Sequence, residues 1–218
     1  MDFVFPARCV ACRVPGHWWC GDCDATAVLI RQPACAACNR LTVRGEYCKR
    51  CSRSFSLSGV LAGTYYRGPV TAALKALKYR HATQLAPALA AFQIVALARL
   101  RTLRRSILVP LPLHPARLRQ RGHNQAYLLA NPISRATGIP LRTDLGRIRN
   151  TRSQTGLTRQ QRLINTAGAF RWLGPPLEGE TVVLVDDIYT TGATLDAAAE
   201  ACRRAGARQV WGLVVAKR

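Results

Sequence analysis

Acid is scarce in this chain. Its 218 residues carry 11 Asp and Glu against 32 Lys and Arg, a formal net charge of +21 at pH 7. From Tyr47 to Leu177 the only acidic residue is Asp144. A stretch so short of counter-charge attracts polyanions: nucleic acid, a pyrophosphate-bearing substrate or an acidic partner. A basic but solvated surface is the alternative that charge alone leaves open. Long hydrophobic runs are missing as well. The most apolar stretch, LAPALAAFQIVALARL at 85–100, is too short and too interrupted to span a membrane, and reads as a buried or amphipathic helix. The opening MDFVFPARCVAC lacks a basic segment followed by an apolar core. No secretory signal is expected, and a cytoplasmic location follows.

Cysteine, by contrast, is concentrated. Eight of the nine cysteines form four C-x-x-C pairs within the first 51 residues: Cys9/Cys12, Cys20/Cys23, Cys35/Cys38 and Cys48/Cys51. Two thiols separated by two residues can clamp a metal from one tight knuckle, and two knuckles complete a tetrahedral site. Eight thiols therefore suit two structural zinc ions. A disulfide framework is disfavoured in a reducing compartment. Sequential use would pair Cys9, Cys12, Cys20 and Cys23 in one site and Cys35, Cys38, Cys48 and Cys51 in the other; a cross-braced arrangement is equally compatible. His17 reads as a bystander, Trp18 and Trp19 as cover for a knuckle, and Cys202 as a small buried apolar side chain.

The most informative run is VVLVDDIYTTGAT at 182–194. Four apolar residues make a buried strand. Two adjacent acids, Asp186 and Asp187, follow. Then comes the hydroxyl-rich turn Thr190, Thr191, Gly192, Ala193 and Thr194, and after it a helix that stops at Gly206. Backbone N–H groups at a helix start favour an anion, Gly192 lets the backbone approach closely, and threonine hydroxyls add donors. Adjacent acids suit paired sugar hydroxyls, or a magnesium ion beside them. A phosphate cradle next to a diol site describes a phosphorylated ribose.

The rest of the chain supplies the frame. Strands are expected near 57–66, 106–113, 181–186 and 209–216, with helices over 68–79 and 82–103 and after Gly122. Lys75 and Lys78 share one face of the first helix. Pro110, Pro112 and Pro115 exclude a regular helix around them, so HPARLRQR reads as an arginine-rich turn leading to a helix start, a second anion site. Strands separated by helices indicate an α/β fold, a parallel sheet flanked by helices, preceded by the small cysteine-rich module. The expected boundary divides 1–54 from 55–218.

VVLVDDIYTTGAT resembles the 5-phosphoribosyl-1-pyrophosphate (PRPP) motif of type I phosphoribosyltransferases. VPLPLHPARLRQRGHNQA resembles the signature of the ComF family, as do LKALKYRHATQLAPALA, RNTRSQTGLTRQQRLINTAGAF and a double zinc ribbon ahead of a transferase domain. The resemblance covers nearly the whole chain. It implies that Asp186 and Asp187 are the catalytic pair and hold the ribose hydroxyls, that Thr190–Thr194 hold the 5-phosphate, and that Arg119 and Arg121 contact the pyrophosphate, with magnesium bound alongside PRPP. Residues 147–165 would form the loop that closes over the site, with Gln154, Arg159, Arg162 and Asn165 the residues to watch. His123 stands where relatives carry a large aromatic, and Asn131-Pro132 interrupts the expected helix. The family's association with natural transformation implies single-stranded DNA, and a DNA-uptake helicase docked by the zinc module, as partners. Three readings follow: a PRPP-binding phosphoribosyltransferase with an unidentified acceptor, or a hydrolase; a catalytically inactive PRPP-sensing nucleic-acid-binding protein; and an adaptor. No acceptor pocket is recognisable.

Overall fold

The computed structural model describes residues 7–100, 103–149 and 166–218. Among the described residues the cysteine module contains a short α-helix, α1 (Gly21–Ala25), and ends in a 3-10 turn at Ser52–Ser54. The remaining elements are β1 (Gly59–Tyr65), α2 (Pro69–Tyr79), α3 (Ala86–Leu97), β2 (Ser106–Pro110), α4 (Pro115–Arg121), α5 (Gln125–Thr137), β3 (Leu145–Arg147), β4 (Phe170–Trp172), β5 (Thr181–Tyr189), α6 (Ala193–Arg204) and β6 (Gln209–Lys217). Among the described residues no helix is long and apolar enough to cross a membrane.

β1, β6, β5 and β2 form a parallel sheet in that order. A parallel strand between two others is covered on both faces, and so reads as a continuous apolar run. β5 obeys this through Val182, Val183, Leu184 and Val185, all fully buried. Alternation then divides them between two cores. Val183 and Val185 pack with Leu129 and Ile133 of α5 and Leu89 of α3; Val182 and Leu184 pack with Leu195, Ala198 and Cys202 of α6. Helices thus cover both faces. β3 and β4 form a separate antiparallel pair. Gly63 sets the approach of α3 to β1, since a Cβ there would lie 2.4 Å from the Phe92 carbonyl oxygen.

Several elements differ from the sequence reading. The strand expected over 106–113 pairs only to Pro110, beyond which Pro112 and Pro115 cannot donate to a ladder. The arginine-rich turn is the short helix α4. Pro115 occupies its first turn, where a missing N–H costs nothing, and His114 Nδ1 caps the Ala116 N–H at 3.3 Å. Pro132 sits inside α5 without ending it. Asn124 caps that helix through Oδ1 to the Ala126 N–H at 3.0 Å, and Gly138 closes it in the left-handed conformation. The helix expected over 82–103 is a 3-10 turn at Thr83–Leu85 followed by α3.

Candidate functional site

The eight paired thiols form two clusters, Cys9/Cys12/Cys20/Cys23 and Cys35/Cys38/Cys48/Cys51, with all sulfurs of each cluster within 4.8 Å of one another. The pairing is therefore sequential and not cross-braced. The contacts are 3.6 Å for Cys9–Cys23, 3.5 Å for Cys12–Cys20 and 3.7 Å for Cys38–Cys48. Four thiolates about 2.3 Å from a zinc ion stand about 3.8 Å apart, so both clusters fit the metal. Knuckle N–H groups aimed at sulfur favour the thiolate. The Cys51 N–H, acting against burial, brings the Cys48 thiol down to about 6. Cys9 also falls to about 6, because the N–H groups of Cys12, Ala11 and Cys20 together outweigh its burial. His17 is exposed and outside both clusters. Trp19 packs on the first cluster, whereas Trp18 is exposed. Cys202 is fully buried, which pushes its thiol up to about 12.

At the carboxyl ends of β2 and β5 the chain encloses a cavity of about 400 Å³. Such sheets bind ligands at this end, and the volume suits a small molecule. Asp186, Asp187 and every residue from Thr190 to Thr194 line it. The acids are not equivalent. Asp187 is buried and pairs through Oδ2 with Lys78 Nζ of α2 at 2.5 Å. The same charge pair raises the Lys78 ammonium against the opposing effect of burial. Asp186 accepts the Asp187 N–H at 2.9 Å, yet burial and then its neighbour's charge push its carboxyl up to about 7. The turn begins with the buried Tyr189. Gly192 adopts φ +79°, and its carbonyl accepts the Asp196 N–H at 2.8 Å, starting α6.

Cations supply the rest of the lining. Arg117 and Arg121 lie four residues apart on α4 and both line the cavity. Arg119 is exposed and does not. Alternate spacing would have suited a turn; a helix brings the i and i+4 pair together instead. Arg147, at the end of β3, is only 8% exposed and lies 5.4 Å over the Phe170 ring. Burial, reinforced by Arg117 and opposed by Asp186, lowers its guanidinium to about 10. Gln125 opens α5 at 4% exposure. Its Oε1 accepts from Arg121 at 3.0 Å, and its Nε2 has no hydrogen-bond partner among the described residues. Sequence reasoning missed Lys78 as a partner of the acids, and also Arg147 and Gln125 as lining residues; within the arginine-rich run it took Arg119, not Arg117, with Arg121. Lys78 left a signal, on a helix face already noted, and so did Arg117, in the run read as an anion site. Gln154, Arg159, Arg162 and Asn165 lie outside the described residues. His123 is not among the residues lining the cavity, and its Nε2 lies 3.0 Å from the Leu77 carbonyl.

A second basic cavity, of about 580 Å³, opens at the opposite, amino ends of β2, β5 and β6. Arg44, Arg104, Arg105 and Arg208 line it.

The double zinc ribbon domain family matches residues 1–52, and the phosphoribosyl transferase domain family matches residues 123–218. The chain is 32% identical to the DNA utilization protein YhgH of Salmonella typhimurium, over 95% of this chain and 96% of that protein. It is 28% identical to competence protein F of Haemophilus influenzae over 98% of each. Against competence protein ComFC of Bacillus subtilis it is 40% identical, over 43% of this chain and 36% of that protein. Two four-thiol clusters ahead of a helix-flanked parallel sheet agree with both domain matches, and near full-length similarity joins them in one chain: it belongs to the ComF family.

Proposed function

We propose that the cavity binds PRPP with magnesium, and that the protein uses this ligand in DNA uptake or processing. One observation carries the reading: the acid pair and the 190–194 turn share a cavity with Arg117, Arg121 and Arg147. In this reading Asp186 and Asp187 hold the ribose hydroxyls and act as the catalytic pair. Thr190–Thr194 grip the 5-phosphate, and Arg121 with Arg117 receives the pyrophosphate, in place of Arg119. Magnesium prefers oxygen ligands, so the carboxylates and the diphosphate suit it, and once bound it supplies charge to the leaving group. We set the boundary between zinc ribbon and transferase domain after residue 54.

Transfer would break the bond between ribose C1 and a pyrophosphate oxygen. The pyrophosphate leaves with the bonding pair, and an acceptor nucleophile joins C1. Positive charge develops at C1 and negative charge on the departing group; carboxylates are suited to the first and arginines to the second. The test is calorimetry of PRPP and magnesium with the wild type and the D186N/D187N variant, alongside an assay of pyrophosphate release. Binding that the double variant abolishes is expected, and unchanged binding overturns the reading. Binding without release assigns a ligand-sensing role.

The second basic cavity favours a concurrent role in holding nucleic acid, in keeping with relatives named for DNA utilization and competence. Single-stranded DNA should then bind with an affinity that falls steeply as salt rises. No binding at low salt removes this role.

A further inference from the structure

We propose that Tyr47 positions the phosphate-gripping turn, so that the second zinc cluster helps set the affinity of the cavity for a phosphate monoester. This rests on the reading of Thr190–Thr194 as the phosphate site.

The chain of contact begins at the turn. A Cβ at Gly192 would lie 2.6 Å from Tyr189 Oη and 2.8 Å from Tyr189 Cε2, so the Tyr189 ring supports the turn directly. Tyr189 is buried, and its Oη stands 3.1 Å from Tyr47 Oη. Tyr47 comes from the cysteine module and immediately precedes Cys48 of the second cluster. It is itself buried, and it stacks on Phe55 with centroids 4.2 Å apart and planes 8° from parallel. Its N–H donates to the Ser58 carbonyl at 3.0 Å. A tyrosine side chain has few rotatable bonds, and stacking on one side with a neighbouring metal ligand on the other leaves the Tyr47 hydroxyl little freedom. Either hydroxyl can donate to the other across this contact.

A second strut acts on the same turn. Asp196, in the first turn of α6, accepts the Ser56 N–H at 2.7 Å and the Leu57 N–H at 3.1 Å through Oδ1. Its own N–H closes the turn onto the Gly192 carbonyl. The segment leaving the second cluster therefore holds the turn through Tyr189 and again through Asp196. The first cluster packs instead with Ala11 and Trp19.

The test uses full-length zinc-loaded protein, with ribose 5-phosphate and inorganic pyrophosphate as separate probes in calorimetry. Tyr47→Phe should keep two zinc ions and weaken ribose 5-phosphate binding about fivefold to tenfold, one hydrogen bond's worth, while pyrophosphate binding stays within twofold. Tyr189→Phe removes the same hydrogen bond without touching the cysteine module and carries the test if Tyr47→Phe unfolds. The double variant should lose no more than either single one. Unchanged ribose 5-phosphate affinity in both single variants overturns the inference alone. Equal losses for both probes also overturn it, since they mark general damage. Failure of the wild type to bind ribose 5-phosphate overturns the underlying reading of the turn, and this inference with it.

Discussion

Gln125 offers the sharpest test of the cavity. Its carboxamide is almost wholly buried, and the Arg121 guanidinium, which can only donate, fixes which end is which: Oε1 accepts from it at 3.0 Å. Reversing the amide would set donor against donor. Nε2 is therefore the end away from Arg121, and it is buried and lacks a partner among the described residues while the residue lines the cavity. A buried polar group left unpaired costs about 1–3 kcal/mol. Replacing Gln125 by Met, of similar length and without the amide, removes that cost, and the partly exposed Arg121 can turn to solvent. Folding stability should hold within about 1 kcal/mol or rise. If Nε2 donates to a ligand oxygen, binding should fall by about 1–1.5 kcal/mol, roughly tenfold in Kd. Thermal unfolding of the free protein and calorimetry with PRPP and magnesium give the two readouts. Stability and affinity should thus move independently or in opposite directions. A clear loss of stability with unchanged Kd would refute the reasoning and make Gln125 a packing residue.

Other expectations follow from the same geometry. Lys78→Met strands Asp187 without its partner and should cost several kcal/mol in urea unfolding at neutral pH; Lys78→Met with Asp187→Asn should recover much of that loss. The Asp186 carboxyl sits near 7 instead of its ordinary 3.8, so its contribution to stability is greatest below 3.8 and is lost as the pH climbs to about 7. Ligand hydroxyls prefer the ionised form, so PRPP affinity should rise through pH 7, and Asp186→Asn should flatten both profiles. Arg119→Gln should leave PRPP affinity within about twofold, whereas Arg121→Gln should weaken it tenfold or more; titration of both variants decides. Chelation of zinc at neutral pH should release two ions per chain and lower the melting temperature, read by a metal-sensitive dye and calorimetry.

The parts legible in sequence were those whose meaning is local. Residues 182–194 form one strand, one turn and one helix start, and each is written in consecutive residues. The four C-x-x-C pairs are local too, but which knuckles share a metal depends on how the chain returns, and only the sulfur positions decide that. Arg117 and Arg119 exchanged places because three prolines argued against a helix, although Pro115 stands where a helix accepts proline. Arg147 left no local sign. It lies in a three-residue strand, and a buried arginine runs against the ordinary preference of that side chain. The link from Tyr47 to Tyr189 was equally out of reach, because each tyrosine alone reads as core and only the tertiary fold brings their hydroxyls together.

The balance of charge in the cavity bears on what enters it. Burying Arg147 carries a desolvation cost large enough to lower its guanidinium to about 10, and setting Asp186 beside Asp187 carries another, seen in the raised Asp186 carboxyl. A bare nucleic-acid phosphate would relieve the first cost and worsen the second, since it brings a further anion to the acid pair. A neutral sugar would satisfy the carboxylates and bring no anion to the arginines. A ligand carrying a diol and phosphates on one small frame would answer both at once, and its diphosphate, like the acid pair, offers the oxygen ligands that magnesium prefers. The arginines at the amino ends of the strands face no such acid pair among the residues lining their cavity, where Glu178 is the single carboxylate. If this chain holds DNA, the electrostatics favour that end of the sheet, leaving the carboxyl end to the proposed phosphoribosyl ligand.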